Sequence, residues 1–482
     1  MNLRPYQILA GLDAKRVWRG GVRGVVLCLP TGAGKTVTAY NLVAGVLASG
    51  ERVLWLAHVD VLLSQSVATA AAYGHCDVGI IKAGWSNPDA QLQIGSMQTL
   101  GRRLRRIAAA WTPDLIVVDE CHRALCATYG RILEAWPGAR VLGLTATPWR
   151  TDGKGLEGAF GSIVSPTSPD MLVRSGHLVP PSIAAVPLIS TKGMHKRGGE
   201  FRAAEVDAAC KPGLGDVAKH VVKALYSGWS PGLAFCGTVA HSVALRDELR
   251  RRGIRAEHVD ASTDSTARDD LLGPGGGLAS GAVQVVCSVG VLDEGVDCPD
   301  VRLIALAAPT AASSRYLQRV GRGLRPAEGK VTCRVLDFGG HIDRFWHPLE
   351  DMRGHYSLSG APDAGAVRES VADAVRTCAD CFAVFRRSAW PSGPCVACGV
   401  EPYVAPVKVE ETGAAMVERK RGDVVAWSDK NAHWSGLVET CMARGYKAGW
   451  AMAQYKRRFG YWPSKGQQSA LRFALALARV SA

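Results

Sequence analysis

The chain has 482 residues, 47% hydrophobic and 21% charged, with 57 Lys+Arg against 43 Asp+Glu and a formal net charge of +14. That length exceeds one ordinary hydrophobic core and asks for about three folding units, and the composition excludes a disordered or fibrous chain. No apolar run nears the ~18 residues of a membrane span and no signal-peptide core opens the sequence, so a cytoplasmic protein without a membrane partner is expected, and the basic balance favours a polyanion, nucleic acid first.

An apolar run at 22–29 leads into Leu29-Pro30-Thr31-Gly32-Ala33-Gly34-Lys35-Thr36, and a helical pattern follows over 37–48. Strand, glycine loop, lysine and helix is the order that cradles a nucleoside triphosphate. Glycines let backbone N–H groups turn toward phosphate oxygens, and the helix start adds unsatisfied donors. Lys35 is expected to reach the β- and γ-phosphates, and the Thr36 hydroxyl to take one position on Mg²⁺. Further apolar runs at 52–59, 92–97, 115–118 and 141–144 alternate with helical stretches. Runs apolar on both faces fit strands of a parallel sheet covered by helices. The run at 115–118 ends in Asp119-Glu120-Cys121-His122. Two carboxylates then stand at the carboxyl end of a buried strand, where such sheets bind ligands. Asp119 suits Mg²⁺, and Glu120 suits the orientation and deprotonation of the water that attacks the γ-phosphate.

Residues 165–215 carry Pro166, Pro169, Pro180 and Pro181 and a polar stretch over 192–200, and read as a connection with some helix. Alternation resumes at 233–236, 256–259, 283–289, 303–307 and 331–338, with helical stretches at 241–252 and 314–324, so a second α/β unit follows the first. Gly273-Pro274-Gly275-Gly276-Gly277 reads as a flexible loop inside it. In the second helical stretch Gln318, Arg322 and Arg325 fall on one face, at i, i+4 and i+7. Arginine is permanently charged and grips phosphate oxygens in a fork. Arg322 and Arg325 are therefore expected to stabilise charge on the γ-phosphate as arginine fingers supplied in cis. Arg319 falls off that face and reads as a surface charge. A site split in this way closes on ATP and reopens after hydrolysis.

These stretches, in this order, resemble the superfamily 2 helicases and translocases, with a DECH box at 119–122, over about residues 1–345. Leu3-Arg4-Pro5-Tyr6-Gln7 resembles the adenine-reading segment, with Gln7 as the base contact. Residues 55–65 and 95–100 resemble the two strand-contacting motifs. Thr145-Ala146-Thr147-Pro148 is similar to the motif that links ATP state to nucleic-acid binding, and Trp149-Arg150-Thr151-Asp152-Gly153 continues it. Residues 289–297 resemble the fifth motif, which implies Gly295 and Asp297 as nucleotide contacts, and 318–326 resemble the sixth. The resemblance implies two tandem RecA-like domains, with ATP and Mg²⁺ held by Gln7, residues 30–36 and Asp119.

Of the 14 cysteines most, such as Cys28, Cys236 and Cys287, sit singly in apolar runs and read as small buried hydrophobes. Cys378, Cys381, Cys395 and Cys398 differ: two Cys-x₂-Cys knuckles, 13 residues apart, suit a structural Zn²⁺ in tetrahedral coordination. A dithiol redox pair is the alternative. Phe382, Phe385, Arg386, Arg387 and Trp390 between the knuckles suit either base stacking or a small ribbon core. A helicase core followed by four cysteines resembles the RadD subgroup of bacterial repair proteins, and phage replication proteins carry similar cores. From Cys441 to Ala482 there are eight Lys/Arg and no Asp/Glu, with aromatics interleaved; positions 450, 455, 459 and 462 approximate one helical face.

The expected organisation is a RecA-like ATP-binding domain at 1–165, a connection at 166–212, a second RecA-like domain at 213–348, a linker at 349–376, a zinc module at 377–402 and a basic, aromatic, mostly helical region at 403–482. The expected function is an ATP-dependent DNA helicase or translocase in repair, recombination or replication, with single-strand-binding or replication and repair proteins as candidate partners. An RNA helicase, a duplex translocase that leaves strands paired, and a nucleic-acid-binding scaffold with a vestigial ATPase are the alternatives. DNA is favoured over RNA by the Asp-Glu-Cys-His form and the RadD likeness. The intact Lys35, Asp119, Glu120, Arg322 and Arg325 argue against the scaffold.

Overall fold

The computed structural model describes residues 3–482 apart from 58–59, 76, 83, 124–126, 187, 294–297, 363–374, 379–380, 387–388, 391, 401–426, 445, 447, 460–462, 464–470 and 472–482, and apart from side chains at 60–62, 64–65, 427–432, 442 and 458–459. It forms two compact units, Met1–Tyr403 and Val404–Ala482. No helix among the described residues is long and apolar enough to cross a membrane.

Two sheets build the first unit. The first contains β1 (Gly24–Cys28), β2 (Val53–Ala57), β3 (Val78–Ile81), β4 (Trp85–Ser86), β5 (Leu92–Ser96), β6 (Leu115–Val118), β7 (Arg140–Thr145) and β8 (Ser162–Val164), in the order β4-β3-β5-β2-β6-β7-β1-β8. Every pairing is parallel except β3 with β4. β1, β2, β5 and β6 are buried along their whole length, as strands covered on both faces must be. The covering helices are α1 (Pro5–Arg19), α2 (Lys35–Ala48), α3 (Asp60–Ala72), α4 (Met97–Ala110) and α5 (Ala127–Ala135). β3, β4 and β8 fall outside the expected runs; they are short strands near the sheet's edges.

The second sheet corrects the expected domain plan. Residues 166–212 are more than a connection. They supply α6 (Pro169–Arg174), then β9 (Pro181–Ala185), a strand inside the second sheet, then a hairpin of β10 (Lys196–Arg197) and β11 (Glu200–Phe201), then α7 (Ala203–Cys210). α8 (Leu214–Tyr226), β12 (Gly232–Phe235), α9 (Val239–Arg251), β13 (Ala256–Val259), α10 (Ser265–Leu272), β14 (Val285–Ser288), β15 (Leu303–Leu306), α11 (Ser313–Gly323), β16 (Cys333–Asp337) and α12 (His341–Arg344) follow. α9 starts where the Thr238 hydroxyl accepts the His241 N–H at 3.1 Å, an N-cap that fixes its first turn. β17 (Val375–Thr377) and β18 (Ala383–Arg386) complete the order β13-β14-β12-β15-β16-β9-β18-β17, with β18 antiparallel to β9. The cysteine segment is thus stitched to the second sheet rather than hung between linkers. The expected linker is partly packed too: Leu349 and Met352 are buried, and the Leu358 carbonyl accepts N–H groups of Leu156 and Glu157.

One apolar cluster joins Leu27, Leu29 and Trp149 of the first half to Val320, Leu324 and Trp346 of the second. The halves therefore share buried surface, and the ends of β1, β6 and β7 face α11 across it. In the second unit, α13 (Trp427–Arg444) and α14 (Ala448–Phe459) pack through Trp434, Cys441, Ala451, Met452, Tyr455 and Leu471. Tyr455 is core there, whereas the side chain of 459, and residue 462, lie outside the described residues.

Candidate active site

The loop after β1 takes its shape from glycine. Gly32 and Gly34 have φ of +84° and +79°, values that L side chains rarely adopt. A Cβ at Gly34 would also lie 2.6 Å from Gln7 Nε2. α2 begins at this left-handed glycine with no side-chain cap, so its first N–H groups remain for an anion. α1 grips the loop from outside: the Tyr6 hydroxyl and Gln7 Nε2 donate to the Ala33 carbonyl at 2.7 and 3.1 Å. The Arg4 N–H donates to Gln7 Oε1 at 2.9 Å. The buried Gln7 amide still keeps one N–H and one lone pair to read a ligand. Pro30 and Thr31 line the cleft facing Leu317, Val320 and Gly321 of α11 and Leu324 just after it.

The carboxylates stand at the end of β6. Asp119 is buried, and its Oδ1 accepts the Glu120 N–H at 3.0 Å. Glu120 has φ +47°, an uncommon conformation for a residue with a Cβ, and this turns its carboxylate inward. Burial alone would push that carboxyl up. Lys35, neighbouring His122 and Arg322 outweigh burial and hold it at about 2. A phosphate-loop lysine and a second-half arginine therefore act on one carboxylate of the first half.

Two residues absent from the sequence-based site complete it. Buried His122 lies with Nδ1 3.3 Å from Glu120 Oε2 and 3.0 Å from Thr145 Oγ1. The Thr145 hydroxyl donates to the Thr147 carbonyl at 2.7 Å, so Nδ1 of His122 is the donor to Thr145. This bond ties the DECH box to the Thr-Ala-Thr-Pro segment. Both residues are visible in the sequence, but their contact spans β6 and β7 and has no local signal.

α11 brings the second half. A Cβ at Gly321 would fall 2.4 Å from Thr31 Cβ, and one at Gly32 would fall 3.2 Å from Arg325 Cγ. The helix backbone at Gly321 thus packs directly on the Thr31 side chain, with Arg325 beside Gly32. Gln318 and Arg322 are buried on the same face. Among the described residues, Gln318 Nε2, Glu120 Oε2 and Thr147 Oγ1 are buried without a hydrogen-bond partner. A donor and an acceptor left open beside Lys35 and Arg322 fit a triphosphate and its attacking water. Arg319 corrects the expectation of a surface charge. It is buried, its Nε pairs with Asp293 Oδ1 at 2.7 Å, and it lies over the Phe235 ring at 5.1 Å. Asp293 also accepts Arg322 through its carbonyl, at 2.7 Å. Burial would raise the Asp293 carboxyl, but Arg319, Arg315 and Arg322 hold it below the usual range. Gly295 and Asp297 lie outside the described residues.

The four cysteines converge, with their Sγ atoms all within 4.8 Å of one another. Cys378–Cys398 and Cys381–Cys395 are 3.8 and 3.7 Å apart. Disulfides would close to about 2.05 Å. A tetrahedral zinc with sulfurs at about 2.3 Å has edges of roughly 3.8 Å, so the donor set fits that ion. Trp390 is buried against the cluster, Phe385 packs edge-on to it, and Arg386 donates to the Leu349 carbonyl at 2.6 Å. Trp390 and Phe385 are therefore core, Arg386 is a structural anchor, and Arg387 lies outside the described residues.

Residues 1–150 match the family profile of the type III restriction enzyme res subunit, and residues 218–327 match that of the helicase conserved C-terminal domain. The chain belongs to the superfamily 2 helicases. As such it is a nucleic-acid-dependent ATPase. The helicase is 27% identical over 375 residues to a 51.5 kDa protein of a Lactococcus phage (isolate 7-9), across 77% of this chain and 76% of that one. It is 25% identical over 361 residues to the DNA 3'-5' translocase XPB2 of Sulfurisphaera tokodaii, across 67% and 79% of the two chains. Its fold matches an HsdR-type fragment of a type I restriction enzyme from Vibrio vulnificus YJ016, with a TM-score of 0.57 at 22% identity, over 75% of this chain and 67% of that one. The helicase spans about half of some curated relatives, 51% of IRC3 from Saccharomyces cerevisiae among them.

Proposed function

We propose that this helicase is a DNA motor whose ATP site is completed across the cleft by α11. Gln7 reads adenine, residues 30–36 cradle the phosphates, and Lys35 neutralises the β- and γ-phosphates. Thr36 and Asp119 would hold Mg²⁺, which when bound supplies charge neutralisation on the phosphate oxygens. Glu120 orients the attacking water and takes its proton, with His122 fixing the carboxylate. Gln318 contacts the γ-phosphate or that water, and Arg322 and Arg325 stabilise charge as it develops. The observation that carries this reading is the close approach of the second half to the phosphate loop, Gly321 against Thr31 and Arg325 against Gly32. Gly295 and Asp297 remain proposed nucleotide contacts on the resemblance of their motif alone.

The domain plan proposed is a RecA-like half ending near residue 165, a second half that begins by β9, and a zinc-bearing extension of the second sheet. Cys378, Cys381, Cys395 and Cys398 hold a structural Zn²⁺ that closes the chain onto β18. A nucleic-acid track is supported by the net charge of +14, and DNA rather than RNA by the likeness to a relative named as a DNA translocase. Repair, recombination or replication is the proposed setting, with a likeness to the RadD subgroup and to phage proteins. ATPase rates measured against single-stranded DNA, duplex, forked DNA and RNA test the reading. Stimulation by DNA is expected, and stimulation by RNA alone would overturn it.

A further inference from the structure

The β10–β11 hairpin stands outside the motifs, yet it touches both halves of the motor. Its tip is pressed against the first half. A Cβ at Gly199, whose φ is +86°, would lie 2.3 Å from the Thr151 carbonyl oxygen and 2.7 Å from Asp152 Cα. Those residues follow the Thr-Ala-Thr-Pro segment after Trp149 and Arg150. Its base is anchored in the second half, where Phe201 lies under the Arg344 guanidinium at 5.5 Å. Between tip and base, Glu200 turns inward. It accepts the Thr310 hydroxyl and the Ala311 N–H, the latter at 3.0 Å, and pairs with Arg315 at 3.3 Å. Arg315 sits on α11 and pairs onward with Asp293 at 3.3 Å, and Asp293 holds Arg319 and the Arg322 guanidinium. A short chain of charged contacts thus runs from the hairpin to the arginine of the ATP site.

The exposed side chains on and beside the hairpin are mostly basic. Lys192, His195, Lys196, Arg197 and Arg202 are exposed. Asp152 pairs with Arg150 and Glu200 with the inner network, while Glu205 compensates His195 and Arg202. Lys192, Lys196 and Arg197 have no carboxylate partner among the described residues. Exposed cations without a carboxylate partner are what a phosphate backbone selects.

We infer that the 192–202 hairpin is a nucleic-acid contact that binds backbone phosphates through Lys196 and Arg197 and, through Glu200 and Arg315, couples that binding to the arginine helix. Glu200 is a positioning residue: it touches neither nucleotide nor nucleic acid, and acts through Arg315 and the 310–311 loop.

The inference rests on the nucleic-acid-dependent ATPase reading, and the test separates the two. ATPase is measured in wild type, Lys196→Ala/Arg197→Ala and Glu200→Gln while a single-stranded oligonucleotide, or its duplex, is titrated in at several salt concentrations. Binding of the same DNA is followed by fluorescence anisotropy. Two lost phosphate contacts lower the slope of log affinity against log salt by about 1.4 for a single strand or about 1.8 for duplex. They also raise the half-stimulating DNA concentration at least about tenfold at 0.1 M salt. Glu200→Gln is expected to bind DNA within about twofold of wild type while its maximal stimulation falls several-fold. A stimulated wild type with an unchanged salt slope in the double variant overturns the hairpin as a phosphate contact. Unchanged maximal stimulation in Glu200→Gln overturns the coupling. A wild type that no nucleic acid stimulates removes the motor reading, and the inference with it.

Discussion

Gly321→Ala is a one-methyl test of cleft closure. The added carbon would stand 2.4 Å from Thr31 Cβ and 2.8 Å from Thr31 Cγ2. Carbon contacts settle at about 3.5–4.0 Å, so α11 must withdraw from the phosphate loop by roughly 1 Å. Overpacking of this kind costs about 1–3 kcal/mol, and here the cost falls only on the closed arrangement. At about 1.4 kcal/mol per factor of ten, the closed population and the turnover that depends on it fall about 5- to 150-fold. Alanine is the better helix former by about 1 kcal/mol, so the open protein does not lose stability. The assay is steady-state ATPase at saturating ATP and DNA, beside nucleotide affinity and the melting temperature. Nucleotide affinity is expected to hold within a few-fold, because the phosphate loop belongs to the first half. Gly130→Ala in α5, where a Cβ meets nothing within 4 Å, is the control and leaves turnover unchanged. Turnover in Gly321→Ala within twofold of wild type would refute the closed geometry.

Three further outcomes are expected. Asp293→Ala strips the partner from buried Arg319 and costs about 3–5 kcal/mol of stability in urea unfolding; a loss under about 1 kcal/mol would contradict the buried pair. The Glu120 carboxyl sits at about 2 against an ordinary 4.5, so its stabilisation is complete above pH 4.5 and is lost as pH falls toward 2. Glu120→Gln removes this dependence, and the stability difference between pH 5 and pH 3 shrinks by up to about 1.4 kcal/mol per pH unit; unchanged slopes would mean that the carboxylate is not held by Lys35 and Arg322. Metal analysis is expected to find one zinc per chain in wild type and little in Cys395→Ser, whose second half also melts earlier because β18 loses its closure; under about half an equivalent in wild type would count against the site.

The phosphate loop, the DECH box and the arginine helix were legible because each is a local pattern with its own chemistry: a glycine turn, paired carboxylates after a buried run, and arginines at helical spacing. Contacts between distant segments were not. Arg319 lies off the Gln318–Arg322–Arg325 face and so reads as solvent-exposed, yet Asp293, on a different element, makes it a buried ion pair. His122 and Thr145 are separated by a helix and a strand, and no spacing announces their bond. β9 opens on Pro181 behind a second proline and therefore reads as a loop, although it is an inner strand between β16 and β18. The cysteine spacing announced the four-cysteine cluster but not the antiparallel pairing that ties it to β9.

The central claim is that the second half completes the ATP site through Arg322. Arg322→Ala is therefore the most direct measurement, with ATP affinity and DNA-stimulated turnover determined on the same preparation. The account predicts affinity within a few-fold of wild type and turnover reduced by a factor on the order of 10³ or more, as for arginine fingers generally. A loss of turnover below about tenfold would contradict it.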